Sequence, residues 1–66
     1  MMYIKNSAEF ITKYNWLAKE KEYWLHYNPI SELEAKTKRY HINETTKRID
    51  TLIKEYPNYA KEYYLI

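Results

Sequence analysis

The 66-residue sequence contains no glycine, cysteine, valine or glutamine. Without glycine, a phosphate-cradling loop, a dinucleotide fingerprint and a type I′ hairpin turn are all missing their usual residue. Without cysteine there is neither a disulfide nor a thiolate zinc site, and a reducing compartment, the cytoplasm, is the natural assignment. Strands would draw on the valine that is missing. Long apolar runs are absent too: no stretch is long enough to span a bilayer, and no charged segment followed by an apolar run opens the chain. The expectation is a protein that is neither exported nor embedded in a membrane. Charge of one sign is also lacking, with 11 basic against 9 acidic residues and a formal net charge of +2. That balance argues against a partner held mainly by electrostatics, such as bulk nucleic acid.

What is abundant is tyrosine, with nine copies, alongside two tryptophans. Charges lie between the apolar positions, the pattern of amphipathic helices and not of disorder. A chain this short forms one domain, here 1–66, and lies below the size at which a single core comfortably stabilises a fold, so a second chain or a partner would help.

The first helix is predicted over 7–27, with Asn6 or Ser7 as N-cap; with Asn6 there, Glu9 takes the third helical position, an asparagine form of the capping box. It should stop near Tyr27, because Asn28 precedes Pro29 and a residue before proline is pushed out of the helical region. At about 100° per residue, Phe10, Ile11, Tyr14, Leu17, Ala18, Trp24 and Leu25 share one broad arc that fits a core-facing stripe. Trp16, Tyr23 and Tyr27 project from the opposite side. Ahead of the helix, Met2, Tyr3 and Ile4 form an apolar lead-in that either lies against the helices or frays.

A second start signal follows at Ser31, where Glu34 completes a Ser-x-x-Glu capping box. From there Ala35, Ile42, Thr45, Thr46, Ile49, Leu52, Ile53 and Tyr56 line one face up to Pro57, which forbids continuation. Leu33 and Tyr40 lie off that face. Lys38 interrupts the stripe, its stem along apolar surface and its ammonium in water. One continuous helix over 31–56 is the expectation, with Asn43 the place where a break would fall. After Pro57, Asn58 is the candidate cap for a last short helix, and the apolar tail from Tyr63 to Ile66 is expected to be docked. The short connection at 28–30 makes the two long helices antiparallel neighbours. The fold class is therefore all-α, an antiparallel helical hairpin with a short C-terminal helix, expected to self-associate.

Catalytic residue types are scarce. Ser7 and Ser31 are accounted for by helix starts. Glu22 and His26 are one turn apart, but no second histidine lies near them, and His41 in the KTKRYH run marks a basic surface with no carboxylate placed to orient it. No enzyme, cofactor or metal site is expected. Lys36, Lys38, Arg39, Lys47 and Arg48 concentrate cations on the second helix, and Tyr40 among them could stack on a base. Acidic Glu44, Asp50 and Glu55 dilute that surface, and a helix-turn-helix alignment of residues 30–52 places its small and turn positions poorly. Nucleic acid is thus the less favoured partner, with Lys36, Lys47 and Lys54 forming a solvated ridge.

The segments AEFITKYNWLAKEKEYW at 8–24 and YNPIS at 27–31 resemble the openings of small phage-encoded proteins, including the helical start of ArpU/RinA-type late transcription regulators. The likeness covers fewer than half the residues, and after Ser31 nothing corresponds to the DNA-binding part of such regulators. The resemblance implies a phage or prophage accessory factor acting in the cytoplasm of a low-GC Gram-positive host. Its partner would be a host or phage protein that it binds, with inhibition one outcome of that binding; the alternative is a small DNA-binding regulator. Either a protein partner or a homodimer would be met through Trp16, Tyr23 and Tyr27, helped by Tyr63 and Tyr64, because rings that a core does not need are the usual anchors of interfaces.

Overall fold

A computed structural model describes residues 3–66; Met2 of the apolar lead-in lies outside the described residues. Three helices follow in order, α1 (Ser7–Leu25), α2 (Glu32–Glu55) and α3 (Pro57–Glu62), and no strand occurs among the described residues. The molecule is 41 Å long and under 20 Å across. Since 24 helical residues rise about 36 Å, the length is essentially that of α2 alone. α1 runs back along it and α3 folds over one end.

Both long helices begin as the sequence demands. The Asn6 side chain accepts from the Glu9 amide at 2.9 Å, and Ser31 Oγ accepts from the Glu34 amide at 3.2 Å. α1 ends two residues short of the expected Tyr27, with His26 as C-cap. The physical reason is the turn itself: the Tyr27 carbonyl leaves the helical direction and accepts from Lys38 Nζ at 2.8 Å, while the Tyr27 hydroxyl donates to Glu34 Oε1 at 2.7 Å. The Lys38 ammonium thus ties the turn to α2 through one of its three hydrogens. α2 runs unbroken through Asn43. Asn58 does not cap α3. Tyr56 is the boundary residue and Pro57 opens the helix, where the missing amide hydrogen costs nothing and the fixed φ suits the first turn.

The core sits between α1, α2 and α3, built on Phe10, Leu17, Leu52 and Ala60, all essentially removed from solvent. Phe10 lies beneath three tyrosines: Tyr56 edge-on at 6.5 Å, Tyr59 tilted at 5.8 Å and Tyr63 stacked at 6.3 Å. Thr45 is the one buried polar residue among those described, and its hydroxyl donates to the His41 carbonyl at 2.7 Å, so burial leaves nothing unsatisfied. The lead-in docks through Ile4, which packs on the core and donates its amide to the Tyr56 hydroxyl at 3.0 Å; Tyr3 stays exposed. Leu25, expected in the core arc, is half exposed, because α3 covers only the Phe10 end and nothing covers the last turn of α1.

α3 closes with the Leu65 amide on the Ala60 carbonyl (2.9 Å) and the Tyr64 amide on the Lys61 carbonyl (3.1 Å). These paired bonds form a Schellman motif that needs a left-handed residue between them. In a chain without glycine that residue is Tyr64, at φ 59°. The motif splits the apolar tail: Tyr63 and Leu65 pack on the core, whereas Tyr64 and Ile66 face solvent.

Candidate functional site

The core is complete at the α3 end, yet four large side chains stay exposed along one side of the hairpin. Trp16 is 61% and Tyr23 60% exposed on α1, and Tyr40 is 60% and Leu33 75% exposed on α2. Two observations place them together. Trp16 shares an open groove of about 430 Å³ with Leu17 below it and with Lys47, Arg48 and Thr51 from α2. Leu33, Tyr40 and Lys47 follow at intervals of seven, which keeps them on one stripe of α2, so that stripe runs beside Trp16.

At the turn end the two helices are joined by rings. Trp24 stacks on His41 at 4.2 Å with planes 7° apart, Tyr23 meets the Trp24 edge at 5.1 Å, and Tyr40 meets His41 at 5.4 Å. Tyr23 and Tyr40 are thus the exposed flanks of a half-buried Trp24–His41 pair. The expectation that His41 marks a basic surface is corrected: its ring is an interhelical packing element, because α2's register sets it opposite Trp24. Lys13 Nζ lies 4.3 Å from the centre of the Trp16 ring, a cation–π arrangement.

Trp16 and Tyr23 take the outward positions foreseen for them. Tyr27 does not stand free on that face; it serves the turn, and its ring centre lies 6.3 Å from that of Tyr23 and 5.4 Å from that of Trp24. The Glu34 carboxylate that accepts its hydrogen bond holds the Tyr27 phenol above the usual tyrosine value, with desolvation and the charges of Glu34 and Tyr23 adding to the shift. Tyr63 is committed to Phe10, and Tyr64 lines neither groove beside Trp16. The exposed pair Leu33 and Tyr40 was missed as an extension of the face; their heptad spacing to Lys47 was the available signal.

Of the cations considered for nucleic acid, Lys36, Arg39, Lys47 and Arg48 are exposed, while Lys38 is engaged by the Tyr27 carbonyl. Lys36, Lys47 and Lys54 share an exposed stripe. Glu22 and His26, both exposed, approach to 3.9 Å, and no third carboxylate or histidine joins them among the described residues. No helix among the described residues is long and apolar enough to cross a membrane.

Comparison with protein-family models, with curated proteins and with solved structures finds no match to this chain.

Proposed function

We propose that the chain is a small non-enzymatic protein-interaction module whose binding face is anchored by Trp16. The observation that carries this is the exposure of Trp16 and Tyr23 beside a core that closes without them. Tryptophan and tyrosine dominate the energetics of interfaces, and here both stand exposed on one side of α1. The resemblance of residues 8–31 to small phage-encoded proteins supports the finer reading, an accessory factor that engages a host or phage protein and inhibits it.

The test is capture from a low-GC Gram-positive lysate on the immobilised parent chain, on Trp16→Ala and on Lys61→Ala as an exposed control. A protein retained by parent and control should be lost on Trp16→Ala by roughly 30-fold, since truncating a central anchor costs about 2 kcal/mol or more. Retention unchanged by Trp16→Ala would contradict the proposal. Recovery of DNA whose binding collapses with salt would instead support the small DNA-binding regulator.

A further inference from the structure

We propose that the groove beside Trp16 recognises an acidic peptide segment whose carboxylates meet Lys47 and Arg48 and whose apolar side chain lies on Tyr40. The inference rests on the Trp16 side being a protein-binding face and names the chemistry of its partner. Lys13, Lys47 and Arg48 line one groove at Trp16 with a single carboxylate, Glu20, and Glu9 lines the neighbouring groove that shares Lys13 and Trp16. None of the three cations forms an ion pair among the described residues, where His26–Glu22 is the only such contact. The groove lining thus carries three cations to one carboxylate, in a chain whose overall excess is only +2.

The same stripe changes character along α2. Seven residues before Lys47 comes Tyr40, and seven before that Leu33, both exposed. Each heptad advances about 10.5 Å. A ligand that fits is acidic at one end and apolar about 10 Å further on, which is about three residues of extended chain or seven of helix. A nucleic-acid strand fits less well, because its phosphates recur at every nucleotide while the exposed cations of α2 are interspersed with Glu44, Asp50 and Glu55.

A displayed library of random 12-residue peptides, selected on the parent chain, tests this. The expected winners carry aspartate or glutamate followed, at three or seven positions, by a large apolar residue. Their retention should fall roughly tenfold on the Lys47→Glu, Arg48→Glu double variant, as expected for two exposed pairs converted to repulsions, and should weaken as salt rises. Winners without acidic residues, retained by the double variant but lost on Trp16→Ala, would overturn the acidic-peptide inference while leaving the protein-binding face intact. Winners indifferent to Trp16→Ala would overturn both. A dT12 oligonucleotide binding more tightly than the winners would assign the cations to nucleic acid. Self-association of the parent by light scattering, abolished in the double variant, would place a second copy in the groove. Either of these last two results overturns the inference. Circular dichroism of the double variant should match the parent, since both positions are exposed and form no ion pair among the described residues.

Discussion

The two ends of the hairpin use aromatic rings differently. At the α3 end, Phe10 is sealed under Tyr56, Tyr59 and Tyr63, and the lead-in is strapped to the Tyr56 hydroxyl. At the turn end, Trp24 and His41 stack face to face, yet no third element covers them, and Tyr23, Tyr40, Leu25, Ile30 and Leu33 remain exposed around the pair. α3 makes the difference, since its six residues reach only one end of a 41 Å molecule. Stability therefore concentrates at one end and unsatisfied apolar surface at the other, a division suited to holding a binding face on a rigid support.

The division breaks most visibly if Phe10 is truncated. Phe10→Ala should cost about 3 to 5 kcal/mol, a large share of the roughly 3 to 10 kcal/mol that 66 residues supply at typical per-residue stability. Urea unfolding followed by circular dichroism should find the variant largely unfolded at 25 °C. Its turn-end counterpart, His41→Ala, removes a stacked but half-buried ring and should cost only about 1 kcal/mol. Equal losses in the two variants would dissolve the distinction between the ends.

Tyr64 sharpens the comparison from the other direction. A non-glycine residue at positive φ costs about 1 to 2 kcal/mol relative to glycine, partly offset by glycine's greater unfolded-state freedom. The Tyr64 ring is 94% exposed, so Tyr64→Gly forfeits little packing and should stabilise the chain by about 1 kcal/mol, read as a higher melting temperature. A lower one would mean that the ring contributes to folding.

The caps at Asn6 and Ser31, the stop at Pro57, the α1 arc through Phe10 and Leu17 and the α2 face through Leu52 were legible in the sequence because each rests on spacing within a single helix. The outward placement of Trp16 and Tyr23 was legible for the same reason. The Trp24–His41 stack was not, since it depends on the register between helices, which no local pattern specifies. The Lys38 hydrogen bond was not legible either, because its acceptor, the Tyr27 carbonyl, is positioned only once the turn forms. Tyr64 gave no warning, because a left-handed C-terminus is ordinarily announced by glycine and this chain has none. Leu25 misled because helical angle alone does not reveal where the covering element ends.

The turn offers a smaller, pH-dependent effect. The hydrogen bond to Glu34 raises the Tyr27 phenol above its ordinary 10.0, so stability from this contact is complete below that value and lost as pH climbs through the raised one. Tyr27→Phe lacks the contact at every pH. Its deficit relative to the parent should therefore shrink under alkaline conditions, with the other tyrosines common to both chains cancelling in the difference. A deficit constant to high pH would show that the hydrogen bond does not contribute.

The least change in stability belongs to Trp16, and it tests the central claim most directly. Urea unfolding of Trp16→Ala, with capture of the parent's partner by the same folded sample, should give an unfolding free energy within about 0.5 kcal/mol of the parent and a loss of capture of roughly 30-fold. A variant destabilised by about 2 kcal/mol or more that still captures the partner when folded would show that Trp16 belongs to the fold, and the exposed side would lose its anchor.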